Sequence, residues 1–154
     1  MSKKILVTGG NGLVGSQFVG DNYIKYSSKL FDLRNSNHVD SMFRKLQYDP
    51  FMLDGVIHTA AKVGGVGSNM KYKGEFFYDN IMMNTNVIES ARKYGVKNLV
   101  CFLSTCVFPN DVEYPLTENK IHLGAPHTTN DAYAYAKRMA EVQIRAYKEQ
   151  YGLN

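Results

Sequence analysis

Thr8-Gly9-Gly10-Asn11-Gly12-Leu13-Val14-Gly15 follows directly on the apolar run Ile5-Leu6-Val7, and this stretch decides the fold. Lys4 to Val7 reads as a buried first strand. The glycines at 9, 12 and 15 have separate uses: the first lets the chain turn out of the strand, the second lets backbone approach a pyrophosphate, and the third allows close packing of helix on strand. A short helix from Gly12 to about Val19 is expected next, its N-terminus offering free N–H groups and a partial positive charge to phosphates. Glycine spacing alone is a weak signal. Its place between a strand and a helix is the context that a dinucleotide loop requires.

Working outward, strand and helix signals alternate. Asn22 to Tyr26 reads as a second strand. Ser36 is placed to cap a helix whose apolar face is Val39, Met42, Phe43 and Leu46. Gly55 to Ala60 reads as a third strand and its exit. A long helix is expected from about Glu75 to Tyr94, stopped by Gly95. Asn98 to Leu103 reads as a fourth strand, and Asn130 is placed to cap a last helix running to about Tyr151, before Gly152. This order predicts an α/β fold, a Rossmann-type doubly wound parallel sheet with helices on both faces, as one domain over residues 1–154. Ligands of such sheets bind at the carboxyl ends of the strands. Those exits are Thr8 to Gly15, Ser27 to Leu33, Ala60 to Gly67 and Ser104 to Pro109, and most are rich in glycine and small polar residues.

The bulk composition fits one ordinary domain: 154 residues, 44% hydrophobic, 21% charged. No apolar run approaches the roughly 20 residues of a membrane span, and the run after Met1-Ser2-Lys3-Lys4 is too short for a signal-peptide core. A cytoplasmic location is the default expectation, without a membrane partner. The net charge of +4 comes from scattered residues rather than a dense Lys/Arg run. That is a poor footprint for nucleic acid and a fair one for a phosphate-rich small ligand, though a solvated surface explains it nearly as well. Cys101 and Cys106 match no zinc spacing and make no disulfide framework, and no metal site is expected.

Cofactor choice turns on the second strand exit. NAD-binding loops place an acid about 20 residues past the glycines to hold the ribose hydroxyls. Ser27-Ser28-Lys29 stands there instead. Two hydroxyls and an ammonium suit a 2′-phosphate, so NADP(H) is the expected cofactor, with Ser28 and Lys29 as its phosphate partners. Lys29 taken alone also reads as a surface charge. Tyr133 and Lys137 lie four apart on the last helix and so share a face. A tyrosine of ordinary pKa, about 10, is a poor acid–base at neutral pH, and a nearby ammonium would pull it down toward working range. Lys137 could also hold the nicotinamide ribose, and Ser104 at a neighbouring strand end could orient a substrate oxygen. Tyr-x-x-x-Lys is common by chance among 11 tyrosines. It gains weight from order: glycine loop, then Ser at a strand exit, then Tyr-x-x-x-Lys on a helix.

The Gly-x-x-Gly-x-x-Gly loop preceded by Thr, together with that order, resembles the extended short-chain dehydrogenase/reductases. Leu103-Ser104-Thr105-Cys106-Val107-Phe108-Pro109 narrows the branch. Sugar-nucleotide 4,6-dehydratases carry Thr-Asp-Glu where Ser104-Thr105-Cys106 stands, and the loss of both acids argues against dehydration. A Ser, a small hydroxyl residue and a Cys before a Val-aromatic-Pro run resemble the GDP-L-fucose synthase family. His58-Thr59-Ala60-Ala61, Val63-Gly64-Gly65, Ile121-His122, Pro126-His127 and Tyr133-Ala134-Tyr135-Ala136-Lys137-Arg138-Met139-Ala140 extend the likeness over essentially the whole chain.

The resemblance implies an NADPH-dependent epimerase/reductase acting on a GDP-sugar, GDP-4-dehydro-6-deoxy-D-mannose, to give GDP-L-fucose. It makes Cys106 an acid–base for epimerisation beside the keto group. An ordinary thiol pKa of about 8.5 needs only a modest shift for that work. Taken alone, Cys106 reads as a small buried residue. The remaining catalytic residues would be Ser104, Tyr133 and Lys137. The cofactor would lie against Gly9, Gly10, Asn11, Gly12, Leu13, Val14 and Gly15, with Asp32 and Leu33 at the adenine and Ala60, Ala61, Leu103 and Lys137 along its length. A homodimer through the two long helices is the expected assembly. The alternatives are another nucleotide-sugar epimerase or reductase of the same superfamily, or a non-catalytic NADP-binding module. Two departures stand out: the first helix is short, and family members run to roughly twice this length. The region that grips the GDP-sugar and the acid–base histidine that partners the cysteine are expected beyond Asn154, so these residues alone are expected to bind cofactor without turnover.

Overall fold

The computed structural model describes residues 3–49 and 52–154. Four strands, β1 (Lys3–Thr8), β2 (Tyr23–Ile24), β3 (Met52–His58) and β4 (Asn98–Cys101), form one parallel sheet in the order β2-β1-β3-β4. The helices are α1 (Ser36–Tyr48), α2 (Val66–Lys71), α3 (Lys73–Lys93) and α4 (Asp131–Tyr151). The strand order steps outward both ways from β1, as the alternating pattern predicted, and puts the glycine loop at the middle of the sheet.

Period and burial agree. In α1, Val39, Met42, Phe43 and Leu46 are the buried residues, meeting Leu6, Val56 and Leu99 of the sheet and Val87, Ile88 and Ala91 of α3 in one core. Side chains alternate across a strand, so Val7 and Val100 point the other way. Val7 is fully buried, whereas Val100 on the edge strand is 55% exposed.

Four local expectations need correction. The helix expected from Gly12 to Val19 is a 3-10 turn of three residues, Gly15–Gln17. Gly20 follows in a left-handed conformation at φ +116° and Tyr23 already pairs with Ile5, so too little chain is left for an α-helix. The cap of α1 is Asn35, whose side chain accepts from the N–H groups of Asn37 and His38; Ser36 is the first helical residue. Asn130 stands before α4 but its side chain makes no cap bond, and its Oδ1 is buried without a partner. Asp131 answers the helix start instead, accepting from the N–H of Ala132 at 2.8 Å and pairing with Lys73 at 2.9 Å. Finally, β3 begins at Met52 rather than Gly55, with Thr59 and Ala60 as its exit as expected, and β4 ends at Cys101 rather than Leu103. Gly152 closes α4 in the left-handed conformation expected of a C-terminal glycine, φ +70°.

A buried polar chain ties the carboxyl ends of β1 and β3 to the two long helices. Asn84 of α3 donates to the Ala136 carbonyl of α4 at 3.1 Å. Its Oδ1 therefore accepts from His58 Nε2–H at 3.0 Å, and His58 Nδ1 accepts from the Thr8 hydroxyl at 2.6 Å. His58 is completely buried. Burial, and to a smaller extent the Lys137 charge, lower its pKa from 6.5 to about 4. Between those two values an unfolded chain binds the proton and the folded chain does not, so stability falls as pH drops through that window and is unaffected by this group above it. At roughly 1.4 kcal/mol for each pH unit of the window, about 3 kcal/mol is lost. Urea unfolding at pH 7 and pH 4 is expected to show that loss in the wild type. In His58→Gln, which cannot titrate, most of it should disappear.

Candidate active site

The exits of β1, β2 and β3 surround one cleft of about 920 Å³, lined by Gly9 to Gly15, Ser28, Asp32, Leu33, Ala60 and Ala61 among others. This is within the roughly 300–1,000 Å³ of small-molecule sites. The glycines shape it closely. Gly9 is in the left-handed region, φ +71°, and a Cβ on it would lie 2.6 Å from the Ala60 nitrogen. A Cβ on Gly15 would come within 2.3 Å of the Gly9 carbonyl oxygen. The third glycine thus lets the loop close on itself, and Gly12 N–H donates to that same carbonyl at 2.9 Å. With only a 3-10 turn behind it, the loop offers an anion backbone N–H groups but little helix dipole.

Not every sequence-chosen residue lies in the cleft. Lys29 is exposed and outside its lining; its N–H donates to Ser27 Oγ at 3.1 Å. Leu103 packs against the core. Conversely, Tyr26, Arg34, Thr59, Lys62, Asp79 and Met83 line the cleft without having been singled out. Arg34 is the consequential one. Its guanidinium pairs with Asp32 at 2.7 Å and with Asp79 of α3 at 3.4 Å, and Lys62 pairs with Asp79 at 3.0 Å. The Arg34 bond holds the Asp32 carboxyl below its usual pKa. Both carboxylates of the cleft wall are thereby paired with a cation, although Lys62 is shared with Glu75 at 2.7 Å. Arg34 directly follows the Asp32-Leu33 pair, and that adjacency was the only local signal for it.

The second group of chosen residues gathers where β4 ends and α4 begins. Ser104 opens a 3-10 turn, Thr105–Val107. Its Oγ lies 2.9 Å from Cys106 Sγ and accepts from the Cys106 N–H at 3.4 Å. Tyr133, 9% exposed, faces both: burial raises its pKa, Cys106 raises it further, and the Ser104 hydroxyl acts the other way. Lys137 is 1% exposed, and its ammonium donates to the Phe102 carbonyl at 2.9 Å. Burial lowers its pKa against the influence of Cys101 and Cys106. The sequence expectation that Lys137 pulls the phenol down is not met. The ammonium is held by Phe102, and burial of the phenol dominates. Tyr135, at the neighbouring register, is 40% exposed. Among the described residues no cluster of three metal-ligating side chains occurs, and no helix is long and apolar enough to cross a membrane.

A parallel sheet in this order, with a glycine turn lining a cleft at the strand ends, defines a Rossmann-type nucleotide-binding fold. Within that class the chain belongs to the NAD dependent epimerase/dehydratase family, whose model matches residues 5–154. It is 44% identical over 161 aligned residues to GDP-L-fucose synthase of Dictyostelium discoideum, covering 97% of this chain and 48% of that protein. It is 38% identical to a probable GDP-L-fucose synthase of Drosophila melanogaster, covering 97% and 48%. Among solved structures, a GDP-L-fucose synthetase from Naegleria fowleri bound to NADP superposes with a TM-score of 0.82 at 42% identity, over 96% of this chain and 48% of that one. The chain spans about half the length of the curated relatives it matches.

Proposed function

We propose that this chain is the NADP-binding and redox portion, residues 1–154, of an enzyme that converts GDP-4-dehydro-6-deoxy-D-mannose to GDP-L-fucose. The observation that carries this reading is the cluster of Ser104, Cys106, Tyr133 and Lys137 at the end of β4: a thiol, two hydroxyls and a buried ammonium, with no carboxylate among the named groups. Relatives that share the fold and are GDP-L-fucose synthases support it.

The cleft fits the cofactor. Backbone N–H groups of the glycine turn would meet the pyrophosphate, Ser28 and the nearby Lys29 the 2′-phosphate, and Asp32 and Leu33 the adenine. Ala60, Ala61, Leu103 and Lys137 would follow its course toward the reacting end. When bound, NADPH supplies the hydride that reduces the substrate ketone. Every other step belongs to side chains. Cys106, as thiolate, removes a proton from a carbon flanking the ketone, and the electron pair of that C–H bond moves into an enolate. A proton then returns on the opposite face from an acid–base group, a histidine on the family pattern, beyond residue 154. Ser104 donates to the ketone oxygen. Tyr133, kept protonated by its burial, gives its proton to that oxygen as it becomes a hydroxyl. Lys137 holds the Phe102 carbonyl just past β4 and would reach the nicotinamide ribose. The substrate grip lies outside these residues, and α3 with α4 would form the contact of a homodimer.

Cys106→Ser separates the two chemistries. In an enzyme carrying these residues, deuterium wash-in from D2O at the carbons flanking the ketone should fall by about 10²- to 10³-fold, within the usual range for losing an acid–base group. NADPH oxidation with a ketone that needs no epimerisation should stay within a few-fold of wild type. Wild-type wash-in would show that the thiol is not the base.

A further inference from the structure

Arg138 is 4% exposed. Its Nε donates to the Val107 carbonyl at 2.6 Å, its guanidinium lies 5.4 Å from the centre of the Tyr135 ring, and its Nη2 is buried without a partner. Burying a guanidinium and leaving one of its donors idle costs stability. The one strong bond it makes therefore carries its purpose. Val107 closes the three-residue turn whose middle residue is Cys106. The front of that turn is held by Ser104, whose carbonyl accepts from the Val107 N–H at 3.1 Å and whose hydroxyl contacts the thiol. The back is held by Arg138, from the helix that bears Tyr133 and Lys137.

We infer that Arg138 is a positioning residue: through the Val107 carbonyl it fixes the turn carrying Cys106 to the helix carrying Tyr133, and so sets where the thiol stands relative to the phenol. This rests on the reading of Cys106 as a proton-transfer group. Such a group must hold its place closely, since an error of about 1 Å can cost as much as 10²-fold in rate. The tether acts by hydrogen-bond geometry. The charge is incidental to it.

Three substitutions separate geometry from charge. Arg138→Gln puts an amide N–H where Nε stands and carries no charge. Arg138→Lys keeps the charge but has a methylene at that place. Arg138→Met has neither. The readout is alkylation of Cys106 by iodoacetamide on this chain, resolved from Cys101 by peptide mass mapping. It is measured at a pH where the rate has reached its plateau, so that access and not ionisation is compared, and it needs neither cofactor nor sugar nucleotide. Arg138→Gln should stay within about twofold of wild type, while Arg138→Met and Arg138→Lys alkylate roughly threefold or more faster as the turn opens locally. A lysine variant that behaves as wild type, or a glutamine variant as fast as methionine, overturns the tether. The glutamine arm decides alone if the other two do not fold. In an enzyme carrying these residues, deuterium wash-in should fall roughly tenfold in Arg138→Met and recover in Arg138→Gln. Alkylation in the expected order with unchanged wash-in would keep the tether and overturn the role of Cys106 instead.

Discussion

Tyr133→Phe is expected to lower kcat for ketone reduction by about 10³-fold, in the middle of the range for removal of a general acid, with little change in NADPH affinity. The substitution deletes one oxygen from a side chain that is 9% exposed and packed beside Ser104 and Cys106. It opens no cavity and leaves the thiol's contact with Ser104 in place. Deuterium wash-in at the carbons flanking the ketone should therefore persist while stopped-flow NADPH oxidation collapses. Tyr135→Phe is the control: Tyr135 is 40% exposed and stacked with Arg138, and its loss should leave the reduction rate within twofold of wild type. A Tyr133→Phe enzyme that reduces at more than about a third of the wild-type rate would remove the phenol from the mechanism.

The second large effect is Gly9→Ala. Gly9 is at φ +71°, where a side chain costs about 1–2 kcal/mol. The new Cβ would also meet the Ala60 nitrogen at 2.6 Å, the Ala60 Cα at 2.7 Å and Thr59 Oγ1 at 2.9 Å. Overpacking of this kind costs about 1–3 kcal/mol more. The neighbours are main-chain atoms of the β3 exit, so the strain relaxes only by moving the loop away from the cleft wall. A fall in Tm of about 5–15 °C is expected, at 2–4 °C per kcal/mol for a chain of this size. NADPH affinity measured by fluorescence titration should weaken by at least about tenfold, equivalent to roughly 1.4 kcal/mol. Gly20→Ala is the comparison. Gly20 also has a positive φ, +116°, but nothing lies within 4 Å of its Cβ position. It should lower stability alone and leave NADPH affinity unchanged. Equal loss of affinity in both variants would show that backbone strain, and not the Ala60 contact, governs the loop.

Much of the site is legible in the sequence because its signals are local. A strand ending in spaced glycines, a hydroxyl and a thiol at a strand exit and a Tyr and Lys one helical turn apart each depend on residues within a few positions of one another, and the structure brings Ser104, Cys106, Tyr133 and Lys137 into one cluster. The failures are local signals that the rest of the chain overruled. The glycine loop opens no α-helix because β2 must pair with β1 only a few residues after Gly15. Ser36 and Asn130 have the chemistry of caps, but Asn35 and Asp131 are better placed to answer the first N–H groups.

What the residues alone determined is the class of fold, the cleft at the strand ends and which side chains are candidates for chemistry beside it, since periodicity, turn chemistry and side-chain type are properties of short stretches. Only the tertiary structure decided their states and their supports. Arg34 meets Asp79 across 45 positions, Lys137 spends its ammonium on a carbonyl 35 positions back, and Arg138 reaches Val107 across 31. The pKa directions of Tyr133 and Lys137 follow first from burial. Such pairings depend on which surfaces the core forces into contact, and no short stretch of sequence contains that information.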